Sequence, residues 1–87
     1  MADPRRTRPR RDESMPELAR IGSQVAARRI ELHLTQQTLA DRAGVSRWSL
    51  QALEYGSGSV KLASVVEIAD ALGLHLELTT QSAASDK

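Results

Sequence analysis

The chain has 87 residues, a formal net charge of +1 and no cysteine, so it is long enough for one small domain and can form neither a disulfide nor a cysteine-based metal site. No apolar run is long enough to cross a membrane and no signal peptide is visible, so we expect a cytoplasmic protein with no membrane partner. The chain contains no phenylalanine, one tryptophan and one tyrosine, which predicts an aliphatic core.

Residues 1–14, MADPRRTRPRRDES, combine many charges with two prolines and show no apolar periodicity. This composition predicts a disordered basic arm. Arginines in such an arm can follow the phosphates of a nucleic acid, and the alternative is a solvated tail that aids solubility. The candidate phosphate contacts in the arm are Arg8, Arg10 and Arg11.

The first predicted helix begins near Pro16, which is tolerated in a first helical turn, and ends near position 32. His33 follows it and has no companion residues that would make a metal site, so we assign it a capping or surface role. The side chains predicted to face inward, from their helical spacing, are Leu18, Ile21, Val25 and Leu32.

Two short helical patterns flank a sharp turn between Thr35 and Gly56. Thr35 and Ser46 precede the two helices and are the expected N-caps. Gly44 fits the turn because glycine adopts the left-handed conformation at no steric cost. The small side chain of Ala40 would let the second helix cross closely over the first. Together these residues predict a helix-turn-helix.

The second of these helices runs from about position 47 to position 55. Leu50 and Leu53 are predicted to face inward. The opposite side is predicted to be exposed and carries Trp48, Gln51, Ala52 and Tyr55.

A further amphipathic helix is predicted over residues 61–72, and Gly73 ends it. Residues 74–80 then alternate strictly between apolar and polar, which is typical of a half-buried strand. A single strand has no partner within this chain, so we expect it to pair with a second copy across a two-fold axis. Residues 81–87 are predicted to be a disordered tail. The apolar stripe of the helix comprises Leu62, Val65, Ile68, Ala69 and Leu72, and the predicted dimer contacts are Leu74, Leu76 and Leu78.

The sequences LTQQTLADRAGVS and LEYG resemble the helix-turn-helix of Xre-type and lambdoid phage repressors, and the resemblance extends over about residues 16–78. It implies a mainly all-α, lambda-repressor-like domain of about four helices over residues 15–73, followed by a dimerisation strand over residues 74–80. His33 departs from the family pattern, which usually has glycine at that helix end. The resemblance also implies an ion pair between Arg29 and Glu54 that ties the first helix to the recognition helix.

In such proteins the start and outer face of the second helix of the motif contact base edges in the major groove. Arg47 suits bidentate contact with guanine, Gln51 suits adenine, and Trp48 suits a thymine methyl group or a sugar. The residues at these positions, and so the predicted base contacts, are Arg47, Trp48, Ser49, Gln51 and Ala52. Gln36 opens the first helix of the motif, where its amide and the helix N-terminus favour a phosphate, and the resemblance places another phosphate contact at Tyr55.

The segment LGLHLELTT, which follows the last helix, resembles HipB-type antitoxins, which are dimeric repressors that also hold the kinase-fold toxin HipA. The implied function is a sequence-specific transcriptional repressor acting as a homodimer on a palindromic operator, with double-stranded DNA, a second copy and a HipA-like kinase toxin as partners. The alternatives are a stand-alone Xre-type regulator without a toxin and a protein-interaction module with a vestigial helix-turn-helix. Two histidines, no cysteine and no convergent acid–base pair leave no basis for an enzyme or for a cofactor.

Overall fold

The computed structural model describes residues 15–81; the basic arm of residues 1–14 and all but the first residue of the 81–87 tail lie outside the described part. The described residues form four helices and no β-strand. The mainly helical fold predicted from the sequence is confirmed. The helices are α1 (Pro16–Glu31), α2 (Gln36–Ala43), α3 (Arg47–Tyr55) and α4 (Leu62–Ala71).

The core is aliphatic and lies where α2, α3 and α4 meet, with α1 packed across α3. Burying a side chain the size of leucine stabilises a fold by about 1.5–3 kcal/mol, so a few such residues account for much of the packing energy of a small domain. The largest fully buried side chains are Leu39, Leu50, Ile68 and Leu72.

Two leucines that the helical stripes predicted to face inward are exposed. Leu32 is 39% exposed and Leu62 is 72% exposed. Leu32 is the C-cap of α1, and Leu62 is the first residue of α4, so both lie where a helix passes the edge of the core. Periodicity predicts which side of a helix is buried, but not how far along the helix the burial extends.

The turn between α2 and α3 has the predicted left-handed glycine, with Gly44 at a φ of 73°. Both helices begin at the predicted caps: the hydroxyl of Thr35 accepts the N–H of Thr38, and the hydroxyl of Ser46 accepts the N–H of Ser49, each at 3.0 Å. Each cap satisfies a backbone donor that has no partner within its helix. These contacts define where α2 and α3 begin.

The corner between α1 and α2 contains a non-glycine residue in the left-handed region, His33, with a φ of 59°. Histidine is among the residues that enter this region more often than most, although at some cost. The N–H of His33 donates to the carbonyl of Ile30 at 2.9 Å. Across the same corner, Nη1 of Arg29 donates to the carbonyl of Leu34 at 2.8 Å, so a side chain from α1 holds the chain that enters α2.

The crossing of α1 over α3 depends on Gly22, a buried glycine in the middle of α1. A Cβ atom at this position would clash with the carbonyl oxygen of Leu53 and would lie 2.7 Å from that of Glu54. Real Cβ contacts are not this short, so the two helix backbones approach closely only because residue 22 has no side chain. This requirement was not apparent from the sequence.

The segment after α4 is not a strand within the single chain. Leu74 packs against the core, whereas Leu76 is 45% exposed and Leu78 is fully exposed. No described backbone hydrogen bond involves residues 75–80, because residues 15–81 offer no neighbouring strand with which to pair. The predicted pairing with a second copy stays a prediction.

Candidate nucleic-acid interface

The exposed surface of α3 carries most of the side chains predicted to contact DNA. Arg47 is exposed, Trp48 is 43% exposed and Tyr55 is 42% exposed. Ser49 and Gln51 are partly buried beside them. The start and outer face of the helix therefore present one cation, two aromatic rings and two polar groups to solvent.

Ala52 is an exception, because it is fully buried rather than exposed. α3 contacts α1, α2 and α4, so only a narrow strip of its surface remains open. The prediction that Ala52 lies on the exposed side of α3 is therefore wrong, and its predicted base contact stays a prediction.

Arg29 and Glu54 form the ion pair that the family resemblance implies. Nε of Arg29 donates to Oε2 of Glu54 at 2.7 Å, and Nη2 donates to Oε1 at 3.1 Å. The two side chains are only 14% and 9% exposed. The hydrogen bond to the Glu54 carboxylate raises the pKa of Arg29 above its usual value, so the guanidinium stays charged despite the cost of its burial.

A polar chain extends from this ion pair to the exposed face of α3. Nε2 of Gln36, the first residue of α2, donates to Oε1 of Glu54 at 3.0 Å. Nε2 of Gln51 in turn donates to Oε1 of Gln36 at 3.5 Å, which is long for a hydrogen bond. The buried Arg29–Glu54 pair therefore orients Gln36, and Gln36 orients one end of Gln51. The sequence did not predict that these four residues are connected.

The Ser49 hydroxyl is partly engaged by the N-cap of α3. It accepts a hydrogen bond from the hydroxyl of Ser46 at 3.0 Å, while the Ser49 N–H is used by the cap. Its own hydroxyl proton can still be donated, because a hydroxyl has one donor and two acceptor positions. Ser49 is therefore suited to donating to a phosphate or base acceptor next to the start of α3.

Positive charge lies on both sides of the turn. Arg42, in the last turn of α2, and Arg47, at the start of α3, are both exposed, and neither takes part in a salt bridge among the described residues. Exposed arginines without acidic partners can neutralise phosphates. The arm residues Arg8, Arg10 and Arg11 lie outside the described residues, so their phosphate contacts stay a prediction.

The described residues contain no group of three or more histidine, cysteine or acidic side chains that could hold a metal ion. Within residues 15–81, no helix is both long and apolar enough to span a membrane.

Two capped helices joined through a left-handed glycine, with an exposed polar and aromatic face on the second, define a helix-turn-helix protein. Known proteins agree with this class. A family model described as Helix-turn-helix matches residues 25–78. The chain therefore belongs to the helix-turn-helix family, and its Xre-type resemblance is confirmed. The chain is thus a DNA-binding transcriptional regulator of the helix-turn-helix class.

Similar proteins include the uncharacterized HTH-type transcriptional regulator y4dJ of Sinorhizobium fredii, which is 39% identical over 61 residues, or 69% of this chain and 79% of that protein. The crystal structure of the restriction-modification controller protein C.AhdI from Aeromonas hydrophila matches with a TM-score of 0.64 and 28% identity. That match covers 70% of this chain and 92% of the other. This likeness confirms the predicted lambda-repressor-like fold.

Proposed function

We propose that this protein is a sequence-specific transcriptional repressor that acts as a homodimer on a palindromic operator. The observation that carries the proposal is the exposed face of α3, where Arg47, Trp48 and Gln51 stand beside one another on a helix fixed by buried contacts. A rigid helix that presents base-reading side chains is what recognition in the major groove requires.

Each side chain on this face has a role that follows from its chemistry. Arg47 donates two hydrogen bonds to guanine, and the exposed ring of Trp48 packs against a thymine methyl group. Gln51 uses one amide hydrogen towards Gln36, so its second amide hydrogen and its oxygen remain for the bidentate pairing with adenine. Gln36 at the start of α2 and Tyr55 at the end of α3 contact phosphates, as do the arm arginines.

Replacing Arg47 by alanine is expected to weaken binding to the cognate operator by about 1–3 kcal/mol and to relax base preference at one position. Arg20→Ala is the matched control, because Arg20 is also an exposed arginine but lies on α1. Gln36→Ala should weaken binding to all sequences, since a phosphate contact carries no sequence information, and it should also relax the preference at the base that Gln51 contacts, because Gln36 orients Gln51. The operator is first selected from a library of random duplexes. Fluorescence anisotropy then measures the affinity of the three variants for this operator and for its single-base variants. Equal losses for Arg47→Ala and Arg20→Ala would contradict this docking.

The dimer is proposed to form through the segment after α4. Leu74, Leu76 and Leu78 alternate with polar residues and would share one side of a strand, and two of them remain exposed in the single chain. Pairing two copies of the segment would cover these leucines and satisfy the backbone groups of residues 75–80. It would also place two copies of α3 on successive half-sites, as a palindromic operator requires.

Leu76→Lys places a charge in this apolar layer and is expected to yield helical monomers that bind the operator at least tenfold more weakly, because each then reaches one half-site. Thr80→Lys is the matched control, since it introduces the same charge at an exposed polar position of the same segment. Sedimentation velocity at tens of micromolar and operator titrations measure both effects. A wild-type monomer, or a dimeric Leu76→Lys variant of unchanged affinity, would exclude this interface.

The second candidate is the HipB-type antitoxin role, supported by the resemblance of LGLHLELTT to those proteins. It adds a HipA-like kinase toxin to the same dimeric repressor. The test is coexpression with the product of the neighbouring reading frame, and a stable complex with a HipA-like kinase supports the role. A stand-alone regulator would bind its operator without such a partner, whereas a vestigial module would not bind random duplex even at low salt.

A further inference from the structure

Arg28, on α1, makes a side-chain hydrogen bond that links this helix to the end of α4. Its Nε donates to the carbonyl oxygen of Leu72 at 3.0 Å, and its Nη1 donates to Oε1 of Glu31 at 3.2 Å. Leu72 is the C-cap of α4. α1 packs on α3 rather than on α4, so this contact ties together two helices with little other packing between them.

The Arg28 contact coincides with the point where the chain changes direction. Gly73 follows with a φ of 76°, and the N–H of Leu74 donates back to the carbonyl of Ala69 at 2.8 Å. Nη2 of Arg28 lies 3.6 Å from the position that a Cβ atom on Gly73 would occupy. Residues 72–74 are therefore held in two ways. A backbone hydrogen bond ties Leu74 to α4, and the guanidinium group of Arg28 ties Leu72 to α1.

Beyond Leu74 the segment has little support from the rest of the domain. An open pocket of about 440 Å³ lies between α1, α4 and this part of the chain, bordered by Ile21 and Gln24 on α1, by Val65 on α4, and by His75 and Leu76. No described backbone hydrogen bond involves residues 75–80. The direction of the segment is therefore set by residues 72–74 and by what holds them.

We propose that Arg28 is a positioning residue for dimerisation. By binding the carbonyl of Leu72, it fixes the angle at which residues 74–78 leave the domain, and hence the separation of the two recognition helices in the dimer. This role rests on the proposed homodimer. The carboxyl end of a helix attracts a cation, and a charged donor makes a stronger hydrogen bond than a neutral one. A segment whose direction is fixed before association loses less conformational freedom when the dimer forms.

The test uses Arg28→Met, which keeps the apolar stem of the side chain but removes its donors and its charge. Two matched controls are Arg20→Met, which removes an exposed cation from the same helix, and Glu31→Gln, which breaks the ion pair but leaves the bond to Leu72 in place. Sedimentation equilibrium gives the dimer dissociation constant. Titration of palindromes built from one selected half-site, with the spacer varied by single base pairs, gives the preference for the best spacing over the others.

We expect Arg28→Met to weaken the dimer about tenfold and to reduce the spacing preference about tenfold, while affinity for an isolated half-site stays at the wild-type value. Neither control variant should change these quantities. An effect confined to thermal stability would indicate a merely structural role, and it would overturn the assignment of Arg28 as a positioning residue. Arg28→Lys retains a charged donor, so it should keep part of the spacing preference. If Arg28→Met is unfolded, Arg28→Lys takes its place in the comparison.

The outcomes separate this inference from the proposed function. A wild-type protein that stays monomeric overturns the homodimer and this role together. A wild-type dimer whose Arg28→Met and Arg28→Lys variants keep the same dissociation constant and the same spacing preference overturns the role of Arg28 alone.

Discussion

Replacing Glu54 by alanine is expected to lower the free energy of unfolding by about 3 kcal/mol, because it leaves the charge of Arg29 buried without its partner. The pair is bidentate, and its side chains are only 14% and 9% exposed. Gln36 also loses the acceptor of its amide group. An equilibrium denaturation series followed by circular dichroism measures the loss.

The control is Glu17→Ala, which removes a carboxylate that is 60% exposed and lies 3.8 Å from Arg20. Exposed pairs contribute less than about 1 kcal/mol, so this variant should stay close to wild type. The double variant Arg29→Ala and Glu54→Ala should cost less than the sum of the two single changes, since neither charge is then left alone. A Glu54→Ala variant as stable as Glu17→Ala would show that the buried pair contributes little.

Gly22→Ala is expected to destabilise the domain by about 3 kcal/mol, although the same change in an ordinary exposed helix would stabilise it by about 1 kcal/mol. The added carbon would meet the carbonyl oxygens of Leu53 and Glu54, which belong to the backbone of α3 and cannot move aside as a flexible side chain would. α1 and α3 would have to separate. The midpoint of thermal unfolding measures the effect.

The comparison for Gly22→Ala is Gly44→Ala, in which the new carbon meets nothing within 4 Å but the backbone keeps a φ of 73°. Left-handed strain alone should cost about 1 kcal/mol. A larger loss of stability at position 22 than at position 44 would show that the close crossing of α1 and α3, and not backbone strain, sets the cost of Gly22→Ala. A Gly22→Ala variant as stable as wild type would contradict the close approach of α1 and α3 at this position.

The features that the sequence predicted correctly are mostly those that depend on neighbours along the chain. Thr35 and Ser46 cap their helices because each needs only a backbone N–H three residues later. Gly44 ends α2 for an equally local reason. Arg29 and Glu54 are 25 residues apart, and only the resemblance to a known family connected them.

Features that depend on how the helices cross were missed or wrong. Gly22 and Arg28 acquire their roles from the elements that lie opposite them, α3 and the end of α4, which no periodicity in α1 reveals. Ala52 is buried because three helices surround α3, whereas a helical wheel treats α3 as if it had one partner. The alternation of residues 74–80 describes a surface that only a second chain would complete, so a single chain does not test it.

Trp48 is the single tryptophan of the chain, and it lies on the exposed face of α3 rather than in the aliphatic core. Its fluorescence therefore reports on the surface proposed to meet DNA and says little about the interior. The protein thus carries an intrinsic optical probe of docking at the position where a label would otherwise have to be attached. Its unfolding is better followed through the circular dichroism of the four helices, so binding and stability can be observed in one sample by separate signals.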